Sequence, residues 1–184
     1  VNINALRQMQ SEATTWRERA RRDPLTGLYN RTIFREKVLA LLEEEHKGAL
    51  IFIDVDYFKK VNDTLGHAVG DDVLLTVAKR LRHFFRESED VIARYGGDEF
   101  IVFLKDISSQ KDLKKKLERL LEVFREKYQR GETSWNITGS VGAALYPEDA
   151  SDYQMLLEKA DTALYVSKNK GRDRYTLYCD CNEE

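Results

Sequence analysis

The chain has 184 residues, and its composition, 42% hydrophobic and 34% charged, is typical of one globular domain. Its 30 Lys and Arg residues nearly balance 32 Asp and Glu residues, so a formal net charge of −2 creates no overall field that would attract nucleic acid. The longest apolar run around Ile51, ALIFI, is too short for a membrane span or a signal-peptide core. Cys179 and Cys181 lie together near the C-terminus and are interpreted as incidental thiols. These features predict a cytoplasmic domain that binds no nucleic acid and makes no direct membrane contact.

Residues 1–22 are predicted to form an N-terminal helix that is distinct from residues 23–184. Its apolar residues are spaced alternately three and four apart, as in a coiled-coil seam. The seam consists of Leu6, Met9, Ala13, Trp16 and Ala20. It lasts only about two heptads, which leaves two interpretations open. The helix packs on the flank of its own domain, or it is the end of a longer coiled coil that enters from upstream. Pro24 and Gly27 in DPLTGLYN end it.

The next segments alternate between helical and strand patterns. Asn30 is expected to cap a helix, and ALIFIDV (49–55) to form a central strand that is covered on both faces. The polar stretch that follows is expected to hold only a short helix, around Phe58 to Leu65. A stronger amphipathic helix is predicted after it, with Val73 at the start of the apolar face and Phe85 at its end.

The second half of the chain continues this alternation. We predict a hairpin, VIARY–turn–FIVFL, then a charged helix over 110–128, a strand over 135–146, a helix over 151–170 and a last strand over 174–178. The order β, α, β-hairpin, α, β, α, β contains a split βαβ arrangement. It predicts an α+β fold in which helices surround a central, mainly antiparallel five-stranded sheet with a βαββαβ core.

Paired carboxylates follow the glycines of ARYGGDEFIVF. Gly96 and Gly97 suit a tight hairpin turn, but such a turn does not need Asp98 and Glu99. Asp54 ends the apolar strand ALIFIDV and is therefore expected at the rim of the sheet, close to this turn. Carboxylates at close range repel one another unless they are protonated or hold a cation, and oxygen ligands without His or Cys suit Mg²⁺. Spacing alone leaves two interpretations open, a Mg²⁺ site and three unrelated surface acids.

The segment FKKVNDTLGHAVGDD could bind a polyphosphate and a base. Phe58 and Lys59 begin a helix just after the apolar strand, so free main-chain N–H groups and an ammonium can face phosphate oxygens. Asn62 and Asp71 lie on either side of a glycine-flanked turn. Together they could bind guanine, whose N1–H and exocyclic amine donate to a carboxylate. His67 lies between them and, taken alone, fits an ordinary loop histidine.

Lys168 and Arg172 in KNKGRDR are four residues apart across the end of a predicted helix. They are expected to lie one turn apart on the same side. Taken alone, such a pattern is most often a helix C-terminus with favourably placed cations.

Six segments in chain order resemble the GGDEF family of diguanylate cyclases, bacterial enzymes that join two GTP molecules into cyclic di-GMP. They are DPLTGLYNR, FIDVDYFKKVND, LGHAVGDDVL, ARYGGDEF, TGSVGAALYP and ADTALYVSKNKGRDR. They run from Asp23 to Arg174, which is almost the whole chain after the first helix. A lone Gly-Gly-Asp-Glu-Phe would be weak evidence for the resemblance, whereas six matching segments in order leave little room for chance. The resemblance implies a palm-like sheet similar to that of nucleotide cyclases and polymerases, with residues 23–184 as the catalytic domain.

The resemblance also implies roles for individual residues. The metal ligands would be Asp54, the carbonyl of Val55, and Asp98. Asp98 would also help to deprotonate the attacking 3′-hydroxyl, and Glu99 would support the metal or phosphate site. The substrate ligands would be Phe58 and Lys59 at the phosphates, Asn62, His67 and Asp71 at guanine, and Lys168 and Arg172 at the terminal phosphates.

The implied reaction is a double phosphoryl transfer. Each domain would bind one GTP, and two domains would meet head to tail as a homodimer, so that each 3′-oxygen attacks the α-phosphorus of the other nucleotide. Mg²⁺, with Mn²⁺ as an alternative, would neutralise the polyphosphate. The resemblance further implies an output domain of a bacterial signalling protein, with a sensory domain upstream. Upstream segments could also attach the full-length protein to a membrane.

The chain departs from the family pattern at its inhibitory product site, an Arg-x-x-Asp motif just before the signature. Here Arg86 and Asp90 are separated by three residues, and Glu89 stands at the expected distance from Arg86. Glutamate is not the usual partner, which argues against product inhibition at this site. Asp71, by contrast, is intact. Relatives that make mixed adenine–guanine dinucleotides are thought to alter that position, so the symmetric product is favoured.

Two other functions fit parts of the pattern. A module of the same fold could bind GTP or cyclic di-GMP as a regulator without turning it over, although degenerate members of the family typically lose the acids that this chain keeps at Asp98 and Glu99. A signalling linker that merely dimerises through its first helix would show no dependence on nucleotide.

Overall fold

The computed structural model describes residues 3–107 and 109–181. The helices are α1 (Ile3–Ala20), α2 (Arg31–Glu43), α3 (Phe58–Leu65), α4 (His67–Phe84), α5 (Gln110–Arg125) and α6 (Tyr153–Asn169). The strands are β1 (Gly48–Val55), β2 (Val91–Gly96), β3 (Glu99–Lys105), β4 (Tyr128–Arg130), β5 (Thr133–Trp135), β6 (Gly139–Tyr146) and β7 (Tyr175–Leu177). A short 3₁₀ helix covers Tyr178–Asp180.

The central sheet has five strands in the order β2-β3-β1-β6-β7. Neighbouring strands are antiparallel except for β6 and β7, which are parallel. β1 lies in the middle with all eight of its residues buried, as its uninterrupted apolar sequence predicts. The first four strands of the order form the expected βαββαβ core, which confirms the predicted fold class.

Helices cover both faces of the sheet, and alternate residues of β1 belong to different cores. Ile51 and Ile53 pack in the core that α4 and α5 supply, whereas Leu50 and Phe52 pack in the core that α2 and α6 supply. By the same alternation, Asp54 at the end of the strand belongs to the face covered by α6. The predicted cap of α2 is present, since the N–H of Ile33 donates to the Asn30 side chain at 3.0 Å.

The first helix does not pack on the domain. α1 has no buried residue, and the Met9 and Trp16 side chains of its seam are 66% and 70% exposed. The interpretation of α1 as a helix packed on its own flank is therefore wrong. Within the described part of the chain, no helix combines the length and the apolar character that crossing a bilayer requires.

Two predicted boundaries are wrong. The polar stretch after β1 holds more than the one short helix predicted there, because α4 already begins at His67. Gly66 adopts φ +88 and lets one helix follow another without a loop. His67 is therefore a helical residue. The strand predicted over 135–146 is split into β5 and β6, because the register with β1 ends at the Val55–Gly139 pair and residues 136–138 run past the end of the neighbouring strand.

Candidate active site

The ends of β1 and the β2–β3 hairpin meet at one rim of the sheet. Asp54 lies opposite Glu99 in the register of β1 and β3. The N–H of Val55 donates to the main-chain carbonyl of Asp98 at 3.2 Å, which ties the hairpin to the end of β1. The predicted proximity of the strand-end acid to the two signature acids is thus present.

The segment from Gly96 to Glu99, called the signature turn below, joins β2 to β3. Gly97 adopts φ +48, a conformation that favours glycine, whereas Asp98 is not in the left-handed region. A Cβ at Gly96 or Gly97 would meet no atom within 4 Å. The turn therefore has open space around it, and backbone conformation is the local reason for glycine at Gly97.

A cation lies within this group of acids. The Lys168 ammonium donates to Asp54 Oδ2 at 2.6 Å, and Asp54 itself is only 8% exposed. Burial raises the pKa of Asp54, and the nearby Asp98 charge adds to this, although the Lys168 contact opposes it. Burial also raises the pKa of Glu99, and repulsion from Asp54 raises it further, while the Lys168 charge opposes the shift. The rim therefore concentrates negative charge that one ammonium compensates only in part.

The arrangement suits a metal that shares its ligands with a substrate. Among the described residues, no three His, Cys, Asp or Glu side chains are close enough to hold an ion. The expected three-carboxylate cluster of Asp54, Asp98 and Glu99 therefore does not form from side chains alone, and Lys168 takes one oxygen of Asp54 that such a cluster would use. The Asp98 and Glu99 carboxylates and the second oxygen of Asp54 remain, which fits the way Mg²⁺ binds few protein ligands and completes its shell with phosphates and water.

The predicted base-binding residues lie on two packed helices. Gly70 of α4 is buried against α3, and a Cβ there would lie 1.8 Å from Asn62 Oδ1 and 3.3 Å from Phe58 Cζ. This contact brings Asn62 next to the helical turn that carries Asp71. Asp71 and His67 are both exposed. The sequence reasoning missed Gly70, which leaves room for the Asn62 amide between the helices.

Lys168 and Arg172 do not lie on one helical side as predicted, because α6 ends at Asn169. Arg172 adopts φ +65, and its N–H donates to the Ser167 carbonyl at 3.0 Å. Its guanidinium lies 4.9 Å from the centre of the Tyr57 ring. The chain therefore turns at the end of α6, so that Lys168 reaches β1 and Arg172 reaches the residue before α3.

Asp56 is a further residue that the sequence reasoning missed. It is 4% exposed, and its carboxylate accepts hydrogen bonds from the Thr138 and Ser140 hydroxyls and from the Asp173 N–H at 2.7, 2.6 and 3.0 Å. Asp56 therefore ties the end of β1 to the loop that carries Arg172. The repeated acid in FIDVD was the available signal.

A groove of about 470 Å³ lies beside α3, on the side that does not face α4. Lys60, Val61 and Leu65 line its helical wall, and Trp135 and Ile137 line the opposite wall. None of the predicted base-binding residues lines this groove.

The residues of the altered inhibitory motif have separate partners. Asp90 is 7% exposed and accepts from the N–H groups of Arg86 and Lys105 at 3.1 and 3.2 Å. The Arg86 guanidinium instead contacts the Glu89 carboxylate, at 3.4 Å, in an exposed pair. The Asp90 carboxylate thus joins the loop after α4 to the end of β3, and it is not paired with the Arg86 guanidinium.

A family model described as "Diguanylate cyclase, GGDEF domain" matches residues 20–174. The chain is 38% identical over 170 residues to the diguanylate cyclase TpbB of Pseudomonas aeruginosa, which covers 90% of this chain and 39% of that protein. It is 40% identical over 181 residues to NbdA of the same species, named a cyclic di-GMP phosphodiesterase, which covers 96% of this chain and 23% of that protein. The chain thus spans less than half the length of these relatives.

Solved structures show the same similarity. The GGDEF domain of TpbB matches with a TM-score of 0.80 at 35% identity, over 88% of this chain and 97% of that one. The coiled coil and GGDEF domain of DgcB from Caulobacter crescentus, in complex with cyclic di-GMP, matches with a TM-score of 0.83 at 30% identity, over 95% and 94%. The chain belongs to the GGDEF family of diguanylate cyclase domains.

Proposed function

We propose that this chain is the catalytic domain of a signalling protein and condenses two GTP molecules into cyclic di-GMP and two pyrophosphates. The observation that carries the proposal is the meeting of Asp54, the signature turn and Lys168 at one rim of the sheet. This rim offers carboxylates for a cation and an ammonium for a phosphate, which are the parts that phosphoryl transfer needs.

Each residue would act on a defined part of the substrate. Asp54, the Val55 carbonyl and Asp98 would hold Mg²⁺, or Mn²⁺ in its place, with Glu99 in support. The metal, when bound, would neutralise phosphate charge and favour ionisation of the 3′-hydroxyl. Main-chain N–H groups at the start of α3, with Lys59, would bind phosphate oxygens. Lys168 and Arg172 would bind the terminal phosphates.

The base would lie by α3 and α4. Asp71 would accept hydrogen bonds from guanine N1–H and its exocyclic amine, Asn62 would meet its other edge, and His67 would lie beside them. The contact of Gly70 with Asn62 supports this assignment, because it holds the amide next to the turn that carries Asp71.

Each transfer takes place between the two nucleotides that a pair of domains binds. The 3′-oxygen of one GTP forms a bond to the α-phosphorus of the other, the bond from that phosphorus to the bridging oxygen of pyrophosphate breaks, and Asp98 helps to accept the proton of the 3′-hydroxyl. A second, symmetric transfer closes the ring. Because one domain binds one nucleotide, two copies must meet head to tail. The exposed seam of α1 supports dimerisation by a parallel coiled coil.

The test is to incubate the chain with GTP and Mg²⁺ and to identify the product. We expect cyclic di-GMP and pyrophosphate, at a rate that rises faster than linearly with protein concentration. Asp98→Ala should reduce turnover by about 10³-fold or more, since it removes a metal ligand and a proton acceptor together. Glu132→Ala is the matched control, because Glu132 is exposed in the turn of the separate two-stranded β4–β5 sheet.

A module that only binds nucleotide is the main alternative. It predicts that GTP binds with the same affinity to the wild type and to Glu132→Ala while no product forms at any protein concentration. Product formation that persists without divalent metal would contradict the proposed mechanism. In the same assay, added cyclic di-GMP should leave the rate unchanged, because Glu89 and not an aspartate stands at the expected distance from Arg86, and Asp90 lies one residue further on. Inhibition that Arg86→Ala removes would contradict this part of the proposal.

A further inference from the structure

Arg94, near the end of β2, joins the signature turn to the start of the domain. Its Nε and Nη2 donate to the Gly97 carbonyl at 2.9 and 2.7 Å. Its Nη1 donates to both carboxylate oxygens of Asp23, at 3.2 and 3.3 Å. All three nitrogens of the guanidinium are therefore engaged, and the side chains of the Arg94–Asp23 pair are each 16% exposed. Charge-assisted bonds of this kind are the stronger and more directional ones.

The partner Asp23 is itself held in place. Its Oδ2 accepts from the N–H and the hydroxyl of Thr26, both at 2.7 Å, and its own N–H donates to the Leu28 carbonyl at 2.8 Å. The main-chain N–H of Arg94 donates to the Tyr29 carbonyl at 3.0 Å. The segment after α1 is thus attached to β2 by its backbone and by its carboxylate.

The end of α1 connects to the same segment. The Asn30 amide donates to the Ala20 carbonyl at 2.7 Å, and the Asn30 N–H donates to the Arg21 carbonyl at 3.0 Å. Asn30 thus attaches the end of α1 to the segment that follows it, and Asp23 and Tyr29 of that segment bind Arg94, which holds the carbonyl of the signature turn.

The signature turn has few other restraints. Its glycines carry no side chains that could pack, and the space around them is open. The Val55 N–H bond to the Asp98 carbonyl holds one side of the turn, and Arg94 holds the other. A loosely placed turn would leave Asp98 free to leave its position over the end of β1.

We propose that Arg94 is a positioning residue for the cyclase reaction: it fixes the turn that carries Asp98 and Glu99, in a place set by Asp23 and the end of α1. This inference rests on the proposed function. It assigns Arg94 no contact with substrate, so its loss should affect turnover more than nucleotide binding. A shift of about 1 Å in a catalytic group can cost about 10²-fold in rate.

The kinetic test replaces each member of the pair in the full chain. Arg94→Gln should lower kcat by about 10- to 100-fold while the Kd for a non-hydrolysable GTP analogue changes by less than about twofold. Asp23→Asn should lower kcat in the same direction but by less, because the bonds to Gly97 remain. The double variant should resemble Arg94→Gln alone, since both changes act through one contact.

A second readout does not depend on activity. Amide hydrogen exchange at Val55 reports the bond to the Asp98 carbonyl, and it should become faster in Arg94→Gln while exchange at Ile51 in the middle of β1 stays unchanged. If the wild type makes no cyclic di-GMP, the proposed function fails, yet exchange at Val55 still decides whether Arg94 positions the turn.

Arg80→Gln is the matched control. Arg80 also donates to main-chain carbonyls, those of Val123, Glu126 and Lys127 at 3.1, 3.0 and 3.0 Å, but at the end of α5. Arg80→Gln should destabilise the fold without a selective effect on kcat or on amide exchange at Val55. The proposal is overturned if Arg94→Gln keeps kcat within twofold of the wild type, or if exchange rises equally throughout the sheet. If Arg94→Gln does not fold, Arg94→Lys is measured by the same criteria. This change keeps the charge but loses the planar set of donors of the guanidinium.

Discussion

At the scale of single residues, Gly70 shows how a missing side chain can make room for a neighbouring one. Its backbone lies so close to Asn62 that a methyl group would occupy the position of the amide oxygen. The neighbouring atoms belong to the end of a side chain, so Asn62 could rotate away at small cost to the fold. Gly70 therefore bears on the placement of Asn62 more than on stability.

Gly70→Ala is expected to weaken GTP binding by about tenfold, the equivalent of about 1.4 kcal/mol, which is typical of one lost hydrogen bond. The free energy of unfolding should change by less than about 1 kcal/mol, because alanine is the better helix former. Isothermal titration with a GTP analogue and urea unfolding measure the two quantities. Ala68→Gly, an exposed change in the same turn of α4, is the control and should leave affinity unaltered.

Asp23 permits a test of the Arg94 pair through pH. Burial raises its pKa, but the Thr26 hydrogen bonds and the Arg94 charge outweigh this and lower the pKa below 3.8. A carboxyl whose pKa is lower in the folded state stabilises the fold above its unfolded pKa, and this contribution disappears as pH falls through the folded value.

Asp23→Asn should therefore reduce the free energy of unfolding by about 1–2 kcal/mol at pH 6, and the difference from the wild type should shrink as the pH falls below 3.8. Urea unfolding at a series of pH values measures it. A constant difference across the series would mean that the Asp23 charge does not stabilise the fold.

At the scale of elements, periodicity and capping predicted most of the structure. Asn30 caps α2, the apolar run of β1 is buried on both faces, and α3 has the predicted bounds, Phe58–Leu65. These features depend on neighbours in sequence. The break between β5 and β6 depends on where the partner strand ends, which no local pattern contains.

The candidate site divides in the same way. The meeting of Asp54 with the signature acids could be predicted from the sequence, because the order of elements along the chain places the hairpin beside β1. Asp23 and Arg94 are 71 residues apart, so only the folded chain reveals their contact, although both lie in segments that resemble the family. Asp56 and Gly70 were missed because a buried acid and a close-packed glycine look like ordinary residues in a sequence.

The exposed seam of α1 makes its own prediction. Trp16→Glu places a charge in the seam, so we expect it to shift the chain from dimer to monomer in sedimentation and to lower the rate per molecule by about tenfold or more at micromolar protein. Ser11→Glu, on the outer side of the same helix, is the control and should leave both quantities unchanged. Equal sedimentation of the two variants with the wild type would contradict dimerisation through α1.

At the scale of the whole molecule, the proposed metal and substrate ligands lie on parts of very different depth. β1, which carries Asp54 and Val55, is completely buried between two neighbouring strands, whereas α3, which carries Asn62, has no buried residue. Elements with little buried surface open locally at lower free energy than the centre of a sheet. The metal would thus meet a rigid frame, whereas the base, and the phosphates at the start of α3, would meet a softer one.

This difference in depth has a thermodynamic consequence for selectivity. Ordering α3 around a nucleotide costs conformational entropy, whereas the frame around the metal is ordered before any nucleotide arrives. The proposed preference for guanine over adenine is then a difference between two binding free energies that both include the same ordering cost. Substitutions that merely stiffen α3 should raise affinity for every purine nucleotide alike and leave the ratio between them unchanged.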